Sequence, residues 1–394
     1  MLGSSINRRD FLRKSSLIAS GTLLLPNFLQ ANPFTEFNGK RLVVVQFSGG
    51  NDGLNTVIPF KNDLLYQLRP TLAPSKNEVL RITNELGLNS AMTGLRSLFD
   101  DGDLCILNGV GYPNPSRSHF RSMDIWQSGS SAEEYWSSGW LGRYMDNECE
   151  NPEQLTAVEM NNILSLAMKG ERLKGLPLTN INQFYRSSKQ ITSDIRENHE
   201  HPMASFLHKT LADTKNSAAY LFEKNKIYSS SKTYPNNPFA KQLKEIAEMI
   251  VSGVESPVYY VSLGGFDTHN NQEGRQKRLL DIYSQAIKVF ADDLKQNDEW
   301  KNTLLMTFSE FGRRVKQNGS GGTDHGKANN VFVLGGNLKK PGVYNDLPSL
   351  SKLDQGDLKH SIDFREVYST ILKKWLDADS SNILGRSFDT QNFI

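Results

Sequence analysis

The sequence predicts an α/β fold with a mostly parallel central sheet and helices on both faces. Five short apolar runs, rich in β-branched and aromatic residues, predict buried strands. These runs span residues 40–47, 103–110, 257–263, 304–308 and 331–334. Stretches of helical length lie between them, such as 239–254 and 272–295. Uninterrupted apolar strands that alternate with helices are typical of parallel sheets covered on both faces.

The first 31 residues have the features of an export signal. Arg8 and Arg9 resemble the paired arginines of a twin-arginine signal, and the apolar run 17–25 follows them. This run is too short to span a bilayer, and no later stretch approaches that length, so we expect no transmembrane helix in the mature chain. We expect a periplasmic or secreted protein that uses the twin-arginine export machinery. The alternative is a basic amphipathic helix that stays attached.

Composition and charge narrow the class of protein and its partners. The chain has 394 residues, 38% of them hydrophobic and 22% charged, and residues 40–394 are expected to form one domain with a helical insertion at about 151–235. A net charge of +2 gives no field that recruits nucleic acid or a membrane surface. Cys105 and Cys149 have no metal-binding spacing, which excludes a cysteine zinc site and leaves open whether they pair.

Carboxylate and imidazole groups lie at the ends of four of the predicted strands. In chain order they are Asp52, Asp267, His269, Glu310, Asp324 and His325. Strand ends in a parallel sheet converge on one edge. Carboxylates and imidazoles together suit Zn²⁺ best, with Mg²⁺, Mn²⁺ or Ca²⁺ as alternatives. The sequence therefore predicts a divalent metal site at this edge, although Asp52 alone is also compatible with an ordinary Asp-Gly turn.

The end of the second predicted strand leads into hydroxyl, basic and imidazole groups. Ser116 and Ser118 lie just before a predicted helix, where a hydroxyl either caps the helix or acts as a nucleophile near its backbone N–H groups. Arginine side chains can bind anionic oxygens in a bidentate manner. The candidate substrate-binding residues are Asn51, Arg117, His119, Arg121 and Arg313.

Three common functional motifs are either incomplete in this sequence or lie in the wrong structural context. Residues 321–327 spell GxxxxGK, but Ala328 replaces the required Ser or Thr, and the predicted strand follows the motif instead of preceding it. The chain has no GxSxG elbow for a serine hydrolase, and the glycines at 49, 50 and 53 do not form a GxGxxG fingerprint. A P-loop, an α/β-hydrolase elbow and a dinucleotide site are therefore disfavoured.

Several motifs, in this order, resemble those of a known group of proteins. After the arginine pair come FSGGNDGLN, SRSHF, SSGWLGRY, GGFDTHNNQ, SEFGR and TDHGKANNVFVLGG. Together they resemble a bacterial family of twin-arginine-exported proteins of uncharacterised function, grouped with the alkaline phosphatase/sulfatase superfamily. The resemblance implies an alkaline-phosphatase-like three-layer sandwich and a metal-dependent hydrolase of small anionic esters.

The resemblance also implies roles for individual residues. Asp52 matches the first metal-ligand Asp, Ser118 is the best match to the nucleophile with Ser116 second, and His325 resembles the late histidine ligand. Asp267 and His269 resemble an Asp…His metal pair, although their spacing is shorter than the phosphatase pattern.

Two departures from the superfamily pattern narrow the expected chemistry. Glu310 takes the place of the Asp in an Asp-His pair, and Phe311 takes the place of the His, which leaves one metal instead of two. Pro113 stands where a sulfatase has its modified Cys or Ser. We therefore expect a hydrolase of phosphate esters, with sulfate esters less favoured. The alternative is a non-catalytic exported binding or scaffold protein with one or no metal.

Overall fold

The computed structural model describes residues 37–148, 157–190 and 202–394. The expected export signal and Cys149 lie outside these residues, while Cys105 is fully buried in a strand. None of the described helices is long and apolar enough to cross a membrane.

The described residues form twelve strands and ten α-helices. The strands are β1 (Arg41–Ser48), β2 (Val57–Ile58), β3 (Leu80–Arg81), β4 (Gly87–Leu88), β5 (Leu104–Gly111), β6 (Ala157–Met160), β7 (Leu176–Leu178), β8 (Val258–Gly264), β9 (Thr303–Ser309), β10 (Asn329–Gly335), β11 (Gly342–Val343) and β12 (Ile362–Asp363). The helices are α1 (Asp63–Leu68), α2 (Thr93–Asp100), α3 (His119–Ser128), α4 (Trp140–Glu148), α5 (Ile181–Lys189), α6 (Pro202–Asn225), α7 (Pro238–Val251), α8 (Gln272–Gln296), α9 (Phe364–Thr370) and α10 (Ser380–Leu384).

Nine strands form the central sheet, in the order β11-β5-β10-β9-β1-β8-β6-β7, with β12 paired to β5. Every strand pair is parallel except the two that β10 makes with β5 and β9. A small second sheet has the order β2-β4-β3. The predicted mostly parallel sheet is confirmed, and all five predicted strands are present within two residues of their expected limits.

Alternating side chains of the central strands build a core on each face of the sheet. In β1, Val43, Val45 and Phe47 face the side covered by α2, α7 and α8. Leu42 and Val44 face the other side, which is covered by α3, α4, α9 and α10. The fold is thus a three-layer α/β sandwich, as predicted, and burial on both faces explains why its strands are apolar throughout.

The described part of the predicted helical insertion contains strands as well as helices. It includes α5 and α6, as expected, but β6 and β7 extend the central sheet beyond β8. These strands have only four and three residues, too few for a periodic pattern to distinguish them from loop. The helical insertion expected at about 151–235 therefore also contains two strands of the central sheet.

The direction of β10 decides where its preceding loop lies. Because β10 runs antiparallel to β9 and β5, its first residue lies at the edge where its neighbours end. The loop before β10 therefore joins the loops that follow β1, β8 and β9. Backbone bonds from Gly312 N to Lys327 O (2.9 Å) and from Arg314 N to Asp324 O (2.9 Å) hold this loop against the one after β9.

Candidate metal centre

Four side chains meet at the carboxyl edge of the central sheet. Asp267 and His269 come from the loop after β8, His325 from the loop before β10, and His119 is the first residue of α3. Asp267 Oδ1 lies 3.5 Å from His119 Nε2, 3.1 Å from His269 Nε2 and 3.3 Å from His325 Nε2. We call these four residues the HDHH cluster. Their side chains are 21–48% exposed, so the cluster is open to solvent.

Close backbone contacts allow these loops to meet. Gly322 packs so tightly that a Cβ there would lie 2.3 Å from the carbonyl carbon of His269. Gly49, at the end of β1, has φ +118°, and a Cβ on it would lie 2.4 Å from the backbone nitrogen of Asp267. Neither position accepts a larger residue without moving a cluster loop.

Each histidine of the cluster uses its Nδ1 on an acceptor from the protein. His119 Nδ1 lies 2.9 Å from Glu310 Oε1, and His269 Nδ1 lies 3.2 Å from Asp324 Oδ1. His325 Nδ1 lies 2.7 Å from the carbonyl oxygen of Arg117. A carbonyl only accepts, so His325 carries its proton on Nδ1, and the carboxylates favour the same tautomer for His119 and His269. All three Nε2 atoms are then directed toward Asp267.

The donor set fits a divalent metal ion. The Nε2 atoms of His269 and His325 are 2.9 Å apart, so their two lone pairs repel unless one ring is protonated or a cation lies between them. His119 Nε2 is a buried polar atom with no hydrogen-bond partner. Four ligands placed tetrahedrally around Zn²⁺ are roughly 3.3–3.6 Å from one another, which is close to the separations from Asp267 Oδ1.

Three of the four cluster residues have ligand atoms that are all close to one another. One ligand atom from each of His119, Asp267 and His325 lies within 4.8 Å of the others, and this is the one such group among the described residues. His269 is not a member of this group, but its Nε2 lies close to Asp267 and His325.

Neighbouring charges tune the protonation of these groups. Burial alone would raise the pKa of Asp267, but the hydrogen bond and positive charge of Arg313 outweigh it and lower the pKa to about 2. The hydrogen bond to Glu310 raises the pKa of His119, while burial lowers the pKa of His325. A hydrogen bond from Asn318 lowers the pKa of Asp324. The cluster thus contains a permanent carboxylate and a neutral imidazole at His325, both of which are metal-ligating forms.

Glu310 and Asp324, expected as ligands, instead lie behind the histidines. Glu310 is fully buried and also accepts from Gly49 N (2.8 Å) and Ser309 Oγ (3.1 Å). Asp324 accepts from His269 and from Asn318 Nδ2 (3.2 Å). Both carboxylates orient an imidazole, as outer partners commonly do at metal sites.

Asp52 is not part of the cluster, contrary to its expected role as first metal ligand. Its carboxylate is fully buried and forms an ion pair with Arg69 Nη1 at 2.7 Å. Gln272 Nε2 and Leu54 N also donate to it. Asn51, expected to bind substrate, is likewise buried, and its side-chain oxygen accepts from Thr56 and Gln276.

The segment 116–118, which holds the predicted nucleophiles, directly precedes His119 and contacts His325 through the Arg117 carbonyl. Ser118 is exposed, makes no side-chain capping bond to α3, and stands between Arg117, whose carbonyl binds His325, and His119. The hydroxyl of Ser116 instead accepts from Ser118 N at 3.2 Å. The Ser118 hydroxyl thus makes no capping bond, and its role as a nucleophile stays a prediction.

The three expected substrate-binding arginines have different surroundings. Arg117 pairs with the buried Asp357 and remains partly exposed. Arg121 donates to backbone carbonyls of residues 131–134 and stacks on Tyr135, with its guanidinium carbon 3.7 Å from the ring centroid. Arg313 is fully buried and donates to backbone carbonyls and Asp267. Arg117 and Arg121 are thus partly exposed, and the backbone carbonyl of Arg117 contacts the cluster.

His119, which the sequence indicates as a substrate-binding residue, is part of the cluster in the structure. Arg69 and Gln272, which bind Asp52, are not indicated by the sequence. A signal for His119 existed, because the chain has only seven histidines and one of them follows directly after a candidate nucleophile. No signal in the sequence pairs Arg69 with Asp52.

The fold and this cluster define an α/β-sandwich protein with a histidine- and aspartate-rich candidate metal centre at the carboxyl edge of its sheet. The chain belongs to the family described as protein of unknown function (DUF1501), which it matches over residues 106–388. None of the curated proteins matches it.

Solved structures with a similar arrangement come from several bacteria. The lipoteichoic acid synthase LtaP from Listeria monocytogenes is 10% identical, with a TM-score of 0.36 and coverage of 92% of this chain and 77% of that one. The PsFucS1 sulfatase from Pseudoalteromonas sp. is 12% identical, with a TM-score of 0.38 and coverage of 90% and 70%. A protein of the alkaline phosphatase superfamily from Vibrio parahaemolyticus is 10% identical, with a TM-score of 0.35 and coverage of 86% and 71%. Similarity at this level carries no information about the chemistry of this chain.

Proposed function

We propose that this protein is an exported, metal-dependent hydrolase of phosphate esters. The observation that supports it best is the convergence of three imidazole Nε2 atoms on one ionised carboxylate at a solvent-open sheet edge. His119, Asp267, His269 and His325 would hold the ion. Three imidazoles and one carboxylate favour Zn²⁺ over Mg²⁺, Mn²⁺ or Ca²⁺, which prefer oxygen ligands.

Ser118 is the proposed nucleophile. It is flanked by a cluster histidine on one side and by the peptide that anchors another on the other side, and its hydroxyl makes no capping bond. Its Oγ would attack the phosphorus atom, displace the alcohol, and form a phosphoserine that water then hydrolyses. A bound divalent ion supplies Lewis acidity, which polarises the phosphoryl group and favours the alkoxide form of a nearby hydroxyl.

The remaining residues would bind and orient the substrate. Arg117 keeps a partly exposed guanidinium, and its carbonyl binds the cluster residue His325, so it is the expected contact for non-reacting phosphoryl oxygens. Its ion pair with Asp357 restricts the arginine in advance, which reduces the entropy lost on binding. Phosphate is favoured over sulfate because Pro113 occupies the position of the residue that sulfatases modify.

A non-catalytic binding protein with one metal ion is the second candidate. The phenyl ring of Phe311 is 2% exposed and packs 4.9 Å from the His119 ring and 4.6 Å from the His325 ring. An apolar wall in this position supports the imidazoles but offers no further ligand or proton donor. That arrangement serves a structural metal as well as a catalytic one.

Metal content and turnover of an aryl phosphate and an aryl sulfate would test these candidates. We expect copurified zinc, hydrolysis of the phosphate ester, and loss of activity with retained metal in Ser118→Ala. Ser116→Ala serves as a matched control two residues away and should keep most of the activity. His325→Ala should lose both metal and activity. Bound metal without turnover of either ester would favour the binding protein, and metal-free folded protein would refute both candidates.

A further inference from the structure

Two fully buried arginines bind the aspartates that follow β1 and β8. Arg313 makes five hydrogen bonds, four of them to the backbone carbonyls of Gly49, Gly50, Phe266 and Thr323. The fifth runs from Nη2 to Asp267 Oδ1 at 2.9 Å. One guanidinium therefore joins the ends of β1 and β8 to the loop before β10 and occupies a lone pair of the cluster carboxylate.

Arg69 forms a comparable buried ion pair with Asp52, the aspartate that follows β1. Its Nη1 pairs with Asp52 Oδ2 at 2.7 Å, and its Nε and Nη2 donate to the carbonyls of Val315 (2.7 Å) and Arg314 (2.8 Å). Gln272 connects this pair to the cluster loops, since its Nε2 donates to Asp52 while its Oε1 accepts from Thr323 Oγ1 at 2.6 Å.

We propose that Arg69 and Arg313 take the place of a second metal ion, so that the centre binds a single divalent ion, and that Arg313 is the positioning residue for that ion. The inference rests on the metal centre proposed above. Asp52 and Asp267 are the two aspartates that follow β1 and β8, and each already has a guanidinium as its fixed cation.

The other carboxylates near the cluster are also engaged. Both oxygens of Glu310 have partners, with Gly49 N and His119 on Oε1 and Ser309 Oγ on Oε2. Asp324 uses Oδ1 on His269 and Asn318. A second ion next to two buried guanidinium groups would meet strong like-charge repulsion.

Metal stoichiometry of the unmodified protein tests the number of ions. After loading with Zn²⁺ and dialysis, elemental analysis and calorimetric titration should give one ion per chain. Two ions per chain would overturn the inference and leave the proposed hydrolase intact. A folded chain that binds none would remove the proposed metal centre, and the inference with it.

A charge-free replacement of the Asp52–Arg69 pair tests whether Asp52 is a ligand. In Asp52→Asn/Arg69→Met both charges are removed together, so no unpaired buried charge remains. We expect an unchanged stoichiometry and an unchanged Zn²⁺ dissociation constant. Weaker binding by an order of magnitude or more in a folded double variant would show that Asp52 acts on the metal and would contradict the proposal.

The positioning role of Arg313 needs a control for simple structural damage. Arg313→Lys keeps the charge but loses the fork that spans several carbonyls, and we expect Zn²⁺ binding to weaken by about 10–100-fold. Arg143→Lys is the matched control, because Arg143 also donates to three backbone carbonyls, those of Ser128, Ser138 and Ile383. It should lower thermal stability without changing Zn²⁺ affinity. Equal Zn²⁺ affinities in both folded variants would overturn the positioning role, and the stoichiometry decides the proposal if Arg313→Lys does not fold.

Discussion

The imidazole of His119 shows how one side chain at this site depends on a second buried one. Its Nδ1 lies 2.9 Å from Glu310, and that carboxylate is in turn fixed by the backbone of Gly49 and the hydroxyl of Ser309. Glu310 therefore sets both the tautomer and the direction of the His119 ring. The same pairing exists between His269 and Asp324, but Asp324 is 55% exposed whereas Glu310 is fully buried.

Glu310→Gln is expected to weaken metal binding by about 10–100-fold, since the amide loses the charge that fixes the Nδ1 proton of His119. Asp324→Asn is the matched control, and its effect should be smaller because water competes at that exposed carboxylate. Calorimetric titration with Zn²⁺ measures both. If the two variants bind equally well, burial of the outer carboxylate does not control the site.

For single residues, the sequence identified the groups at the site more reliably than it identified their roles. Asp267, His269 and His325 were expected near one another, and they are. Asp52 was expected with them, but its partner Arg69 lies in the loop after α1, and only the folded chain brings the two together. Roles that depend on tertiary pairing do not show in local patterns.

Strand ends were predictable because each is bounded by an apolar run and a glycine-rich loop. The direction of β10 was not, since a buried antiparallel strand has the same apolar composition as a parallel one. This direction places His325 at the same edge as Asp267. Had β10 been parallel to β9, the loop before it would lie at the opposite edge of the sheet.

Strand β6 carries a titratable group that makes stability depend on pH. Glu159 is 1% exposed, its Oε2 accepts from Ser165 N at 2.8 Å, and burial raises its pKa from 4.5 to about 7. Below pH 4.5 the carboxyl is neutral in both the folded and the unfolded chain, so its burial as a charge does not reduce the free energy of unfolding. Between pH 4.5 and 7 the Glu159 carboxyl ionises in the unfolded chain but stays neutral in the folded one. This difference reduces the free energy of unfolding by about 3 kcal/mol.

Glu159→Gln should remove this loss, because the amide keeps the acceptor for Ser165 and never ionises. The variant is expected to be more stable than the unmodified protein by about 3 kcal/mol at pH 8 and equally stable near pH 4.5. Urea unfolding at both pH values measures the difference. The exposed Glu171→Gln is the control and should show no such dependence. An equal effect of Glu159→Gln at both pH values would contradict the buried-carboxyl explanation.

For the molecule as a whole, export can be tested separately from catalysis. The paired Arg8 and Arg9 precede the apolar run, and the proposed route depends on both. Arg8→Lys/Arg9→Lys is expected to keep the protein inside the producing cell. Fractionation of cells that carry the tagged full-length chain measures this. Arg13→Lys, outside the pair, is the matched control and should be exported, whereas export of the double variant would exclude the twin-arginine route.

The proposed metal should also stabilise the whole fold, because the cluster joins three separate chain segments. His119 belongs to α3, Asp267 and His269 follow β8, and His325 precedes β10, so the four ligands meet only in the folded chain. An ion that binds only the folded state stabilises it by about 2.7 kcal/mol at a free concentration of 100 times its dissociation constant.

The midpoint temperature of thermal unfolding should therefore rise by several degrees with Zn²⁺ and return on chelation. Mg²⁺ at the same concentration should shift it less, because imidazole nitrogens are poor ligands for that ion. His325→Ala should lose the Zn²⁺ shift, and an equal shift in this variant would place the bound ion elsewhere in the protein.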